Sequence, residues 1–229
     1  METPQATQLR IYVGWAFWFR WVLANALALT ISVEASRYYP VVNAALGKTL
    51  GQSAVATTMA VLSFLSGILI AILVGMLQWL VLRRYVRWAK QWWIATSVGW
   101  IVGSFIASYA AFPILAAHPL TVSLTIDAVT LTVMMGVVGV FQWLVLRRHV
   151  RRAGWWVLAS IAGPLIAESV GIYAGFYVAM FAGGILAGLS QDLAGIVFLA
   201  FFTAAIGAIA GSVTGFAFVQ LLRRSPQEA

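Results

Sequence analysis

The chain contains no cysteine among its 229 residues, which excludes a disulfide framework, a thiolate metal site and a thiol nucleophile and leaves the redox compartment unmarked. Histidine is nearly missing as well. The two present, His118 and His149, fall in a connecting turn and a basic loop, so neither bis-histidine haem ligation nor a His-rich zinc site has ligands to draw on. Asp and Glu together number six, and charged residues make up 9% of the chain, too few to clothe a soluble domain. No Gly-x-Ser-x-Gly elbow, phosphate-cradling loop or paired-carboxylate motif occurs. Catalysis is therefore not expected, nor is a metal or a cofactor; a pigment or a lipid is the remaining candidate ligand.

What is present is apolar. Hydrophobic residues reach 62%, with eleven Trp, and mean hydropathy is +0.94, which reads as an all-α integral membrane protein. A bilayer core of about 30 Å needs roughly 20 apolar residues per helix, because inside lipid each backbone N–H and C=O must be bonded within its own segment. Six segments meet that demand: Trp15 to Arg37, Ala54 to Leu82, Trp92 to Ala116, Leu120 to Leu146, Trp155 to Ala182 and Leu193 to Leu222. The first is not expected to be a cleavable signal sequence, since it is rich in aromatics, lacks a small-residue cleavage pattern and carries Arg20 and Glu34 near its two ends.

The chain also repeats itself. Gly75-Met-Leu-Gln-Trp-Leu-Val-Leu-Arg-Arg84 returns as Gly139-Val-Phe-Gln-Trp-Leu-Val-Leu-Arg-Arg148 and, in altered form, as Gly215-Phe-Ala-Phe-Val-Gln-Leu-Leu-Arg-Arg224. Such self-similarity sets architecture. It divides a single six-helix transmembrane domain, 1–229, into three helical hairpins, approximately 12–91, 92–154 and 155–229. The odd-numbered spans align as Trp21 to Asn25, Trp93 to Ser97 and Trp156 to Ser160, giving a pseudo-threefold arrangement of like-oriented repeats. Inverted repeats are the commoner transporter signature.

Lysine and arginine gather in the short cytoplasmic loops of membrane proteins. Twelve of the fourteen basic residues lie on one face: Arg10, Arg20, Arg83, Arg84, Arg87, Lys90, Arg147, Arg148, Arg151, Arg152, Arg223 and Arg224, leaving Arg37 and Lys48 opposite. Both termini are accordingly expected in the cytoplasm. Trp88, Trp92, Trp93, Trp155 and Trp156 read as an inner aromatic belt. The net charge of +8 is spread over helix ends, which suits anionic headgroups rather than nucleic acid. Headgroup contacts are expected from the basic pairs and loops, Arg83 to Lys90, Arg147 to Arg152, and Arg223 with Arg224.

Small residues at four-residue spacing let helices approach closely where lipid gives no hydrophobic drive. Gly75, Gly139 and Gly215 hold equivalent places, with Gly67 and Ala71, and Gly207 and Gly211, extending the stripe; the middle repeat has Leu131 and Met135 instead. A tight helix contact is the plainer reading, a glycine-lined solute path the sharper one. Gln78 and Gln142 sit five residues before their arginine pairs, about 7 Å deep at 1.5 Å per residue. Each bonds a neighbouring helix or headgroup, or ligates a pigment magnesium or a solute. The third repeat puts Phe218 there and shifts its glutamine to Gln220.

An ionisable group at a helix centre costs roughly 2.5 to 3.5 kcal/mol on insertion scales, which draws the eye to Glu168. It stands about 18 Å into its helix, four residues after Pro164, in what reads as a proline-broken segment beside Ser160 and Ser169. It is either a proton or cation site or a neutral acid locking two helices together, as burial raises a carboxyl pKa. Glu34, at a similar depth, has Arg37 on the same helical face to pair with. Asp127 and Asp192 fall near outer helix starts, with Ser190 as a cap and Pro119 in a first turn.

The Gln-Trp-Leu-Val-Leu-Arg-Arg phrase, followed by a basic stretch and Trp-Trp, resembles a group of uncharacterised multi-span membrane proteins of cyanobacteria and related bacteria, over residues 67–164 best. The resemblance implies a bacterial inner (cytoplasmic) or thylakoid-type membrane and carries no activity over. Two functions remain open. One is a non-catalytic accessory or scaffold subunit that packs against other membrane proteins or a second copy of itself and holds anionic lipid. The other is a small transporter or channel for a solute, proton or cation, using Glu168.

Overall fold

A computed structural model describes residues 14–49, 52–117, 123–185, 188 and 190–224. Those residues are all-helical, without a strand among them. The helices are α1 (Trp15–Ser36), α2 (Tyr39–Gly47), α3 (Gln52–Leu82), α4 (Ala89–Ala117), α5 (Ser123–Leu146), α6 (Trp155–Ile185) and α7 (Gln191–Arg224). Long helices follow from the sequence physics, since a helix satisfies every interior backbone group within its own segment. Among the described residues, four segments are long and apolar enough to cross a membrane: Trp15–Gly47, Ala54–Leu82, Val129–Leu146 and Asp192–Arg223; α6 adds the shorter apolar stretch Trp155–Gly171.

Packing closes the chain on itself. α1 lies against α3, α3 against α4, α4 against α5, α5 against α6, α6 against α7, and α7 returns to α1. Six long helices therefore form a ring, each touching two neighbours. The short α2 lies between the first two spans, has Pro40 in its first turn, and bonds Ser66 on α3 through its Tyr39 hydroxyl. Proline fits there because a first-turn N–H has no intrahelical partner to lose.

The two basic turns are copies of one structure. After α3, the N–H groups of Tyr85 and Val86 both bond the Leu82 carbonyl at 2.8 and 2.9 Å; after α5, those of His149 and Val150 bond Leu146 at 2.9 and 2.8 Å. Leu82 and Leu146 are fully buried. α6 runs unbroken through Pro164, which corrects the expectation of a broken helix. Proline removes one N–H and so takes from the Ser160 carbonyl its helical partner, a single loss that a long helix in a membrane tolerates.

Candidate functional site

At the basic end the ring is filled by aromatic side chains. Trp21 of α1, Trp92 of α4 and Trp156 of α6 are each no more than 1% exposed. Their rings meet edge to face at 5.9 Å (Trp21 with Trp92), 6.2 Å (Trp21 with Trp156) and 5.1 Å (Trp92 with Trp156). Phe218 of α7 sits among them at 5.1 to 5.3 Å from all three, with Phe17 stacked beneath Trp21 at 5.9 Å. Edge-to-face pairs contribute about 0.5–1.5 kcal/mol each beyond their area, so the cluster ties four helices at one level. The expected aromatic belt is corrected here. Trp92 and Trp156 belong to this plug, whereas Trp155, 64% exposed, faces outward; adjacent residues on a helix point about 100° apart, so one of each Trp pair turns in.

Directly against the plug lies a buried hydrogen-bond network. The Trp92 indole N–H donates to Gln78 Oε1 at 2.9 Å, and sixty-four residues on the Trp156 N–H donates to Gln142 Oε1 at the same distance. Gln78 Nε2 donates to Asn25 Oδ1 at 3.1 Å, and Gln142 Nε2 to Thr96 Oγ1 at 2.9 Å and Gln78 Oε1 at 3.4 Å. Thr96 completes it through Gln78 Oε1 at 3.4 Å. Gln78 and Gln142 are 6% and 3% exposed. Three donors crowd Gln78 Oε1, leaving no lone pair there for a pigment magnesium.

The network corrects the alignment of the middle repeat. Trp92 and Thr96, rather than Trp93 and Ser97, match Trp21 with Asn25 and Trp156 with Ser160. Ser97 instead donates to the Ala71 carbonyl of α3 at 3.2 Å, and Ser160 bonds Trp156 O within its own helix at 2.9 Å. The third indole finds a different partner: Trp21 donates to Thr214 Oγ1 at 3.1 Å. Thr214 lies one turn before Phe218, and the half-buried Gln220 has no part in the network. Thr214 was missed because its equivalents in the other repeats are Val74 and Val138.

Beyond the network the ring lines a partly open cavity of about 110 Å3. Every long helix contributes to its lining, among them Asn25, Ser32, Val74, Trp100, Met135, Ser160, Pro164, Ile206 and Thr214. Among the described residues no Asp, Glu, Lys, Arg or His is in that lining. Glu168 is half-buried on α6, one turn past Pro164, and stands outside the lining. Glu34 pairs with Arg37 at 3.4 Å. Asp192 lies in the first turn of α7, where Ser190 Oγ accepts from Leu193 N at 3.4 Å. The side chain of Asp127, together with His118 and Pro119, lies outside the described residues.

The glycines mark where helices touch. A Cβ on Gly75 would meet Trp93 Cδ1 at 2.6 Å, one on Gly139 would meet Ser160 Cβ at 2.7 Å, and one on Gly207 would meet the Ala26 backbone at 2.7 Å. A Cβ on Gly211 would meet Val22 at 3.1 Å and one on Gly215 would meet Trp21 at 2.9 Å. Each contact joins the end of one sequence hairpin to the start of the next. Gly67 differs, for a Cβ there meets nothing within 4 Å; the stripe stops at Ala71. Leu131 and Met135 of α5 line the central cavity instead, and within the middle hairpin the close approach of α4 to α5 is made by Gly99 and Gly103, where a Cβ would meet Val138 and Met134 backbone at 2.9 Å.

Around the plug the basic side chains point out. Arg83, Arg84, Arg87, Lys90, Arg147, Arg148, Arg151, Arg152 and Arg223 are exposed, while the Arg224 side chain and Arg10 lie outside the described residues. Arg83 covers the Trp79 ring at 5.0 Å and Arg147 the Trp143 ring at 5.1 Å. Arg20 donates to the Tyr85 hydroxyl at 3.0 Å. His149 stacks on Trp88, 5.2 Å apart and 3° from parallel; burial first, and then the Arg148 charge, hold its pKa below the usual 6.5. Among the described residues no three of His, Cys, Asp and Glu gather as metal ligands.

No protein-family model matches the chain, and neither curated proteins nor solved structures yield a match.

Proposed function

We propose that all six long helices cross the bilayer as three like-oriented hairpins, with the plugged, basic end and both termini on the cytoplasmic face of a bacterial inner or thylakoid-type membrane. The protein then acts as a non-catalytic accessory or scaffold subunit that associates with other membrane proteins or itself and holds anionic lipid at its basic end. α4 and α6, at 29 and 31 residues, exceed the roughly 20 residues a bilayer demands and stand in the ring between helices that are apolar enough to span. The aromatic plug is the observation that carries the functional reading. Four interlocked rings no more than 1% exposed block the axis, so a solute has no route through, and Glu168 lies off the cavity.

Topology is directly testable, since a chain without cysteine takes single reporter thiols. Thr49→Cys should react with an impermeant maleimide from outside intact cells and Arg87→Cys only after lysis; the reverse pattern refutes the orientation. Function is tested by gentle extraction from the native membrane, measurement of particle mass and identification of companions. A defined larger assembly supports the scaffold reading. A lone particle whose liposomes pass protons or ions, with the flux abolished by Glu168→Gln, overturns it.

A further inference from the structure

The central cavity has a chemical character that the scaffold reading leaves unused. Its floor is polar yet uncharged, and its upper wall is apolar, formed by residues such as Ala28, Leu131, Met135 and Ile206. The floor residues keep bonding capacity after their own network is counted. Asn25 Nδ2 spends one hydrogen on the Trp21 carbonyl and retains the other. Gln142 Oε1 accepts only Trp156, and Thr214 Oγ1 accepts only Trp21 while donating to Ala210 O at 2.9 Å. Pro164 leaves the residue 160 carbonyl without its helical N–H, and Ser160 and Pro164 both line the cavity.

These groups offer a donor and several acceptors with no charge among them. A charged head group would be stripped of water with nothing to pair against, which a buried site does not tolerate. A hydroxyl, which donates and accepts at once, fits the mixture; so does a carbonyl facing the Asn25 amide. Size narrows the choice further. At about 110 Å3 the space is of the order of the apolar cavities of roughly 150 Å3 that hold benzene, which admits a small head group and the first few carbons of one chain, with the rest running out through the open side of the cavity, and excludes a two-tailed phospholipid. On α1 the lining runs from Trp21 to Ser32, about 16 Å at 1.5 Å per residue, a length suited to an elongated guest.

We propose that the cavity between Asn25, Gln142, Ser160, Thr214 and the apolar wall above them binds a slim, uncharged membrane lipid with a hydroxyl or carbonyl head, such as a long-chain alcohol, a prenol or a quinone. The head rests on the polar floor beside Trp21 and Trp156. The chain follows the apolar wall away from the plug. This site is independent of the scaffold reading, because a structural subunit and a transporter could each hold such a lipid.

The test uses the full chain in detergent micelles and 2-bromododecan-1-ol, whose bromine lies beside the hydroxyl and quenches nearby indoles. Saturable quenching is expected, relieved by excess dodecanol and at least tenfold less readily by dodecanoate or dodecylammonium. Decyl-benzoquinone as competitor separates the two head chemistries: displacement stronger than that of dodecanol assigns a carbonyl head, weaker displacement a hydroxyl. Leu131→Phe and Ala28→Leu narrow the cavity away from the floor and should each weaken the saturable component at least tenfold. Quenching that rises without saturation, survives excess dodecanol or responds equally to charged competitors is partition into the micelle and overturns the proposal. Should both filled variants fail to fold, the head-group series on the parent protein decides alone.

Discussion

Replacing Gln142 with leucine takes the acceptor from the Trp156 indole while keeping the side chain apolar and near in size. Trp156 is 1% exposed, so water cannot take over the N–H. An orphaned buried donor costs about 1–3 kcal/mol, and the lost bond to Thr96 adds about 0.5–1.5 kcal/mol. Cross-helix bonds in membranes average near 0.6 kcal/mol because the unfolded chain also finds partners, which pulls the expected loss to about 2 kcal/mol. The third hairpin shows how to restore it. There Phe218 stands at the glutamine position and Thr214, one turn earlier, accepts the Trp21 N–H at 3.1 Å. The equivalent residue in α5 is Val138, 4% exposed. Val138→Thr in the Gln142→Leu background should therefore recover about 1 kcal/mol, the lower end of the orphaned-donor cost, although threonine is the more polar residue. Unfolding free energies from SDS titration in mixed micelles measure all three proteins. A Gln142→Leu loss under about 0.5 kcal/mol, less than one typical net bond, or a double variant no more stable than the single one, refutes the reasoning.

Gly207→Ala should lower stability by about 1–3 kcal/mol through forced separation of α1 from α7, whereas Gly67→Ala, with open space around it, should be neutral; thermal unfolding in detergent compares them. Changing Arg147, Arg148, Arg151 and Arg152 together to glutamine should weaken association with anionic lipid by up to about 1 kcal/mol per arginine, seen as lost salt-sensitive retention of anionic lipid during purification. His149 has a lowered folded-state pKa, so its neutral form is favoured by folding. The stability it contributes is complete above the unfolded value near 6.5 and declines as pH falls below it. His149→Phe should flatten that slope between pH 7.5 and 5, measured by the same micelle titration.

The helical architecture was legible because lipid permits so few alternatives: apolar runs of sufficient length ending in Arg83, Arg147 and Arg223 leave a helix as the only economical form. The glutamines were legible through their repetition. Their partners were not, since Trp92 and Trp93 are adjacent and identical in type, and only the direction each points within the ring separates core from margin. Thr214 was hidden by substitution within the repeat, where the polar atom moved one turn along α7. Gly99 and Gly103 escaped notice because the repeated stripe marks contacts between hairpins, whereas these two lie on the α4–α5 contact inside one hairpin. Tyr39–Gly47 fell outside the six spans, since nine residues, one of them Pro40, are too few to cross a bilayer.

Closure of the ring between α1 and α7 has a consequence for how the protein is made. The Trp21 indole and its acceptor Thr214 are 193 residues apart. At the roughly 5–20 residues per second of ribosomal synthesis, the first helix waits about 10–40 s for the last. Throughout that interval Trp21, Asn25 and the closely packed face around Val22 and Ala26 are in the membrane without the helix that will cover them. An insertion factor or an early-formed neighbour must shelter that face, and a ribosome stalled before α7 would leave it open to the wrong partner.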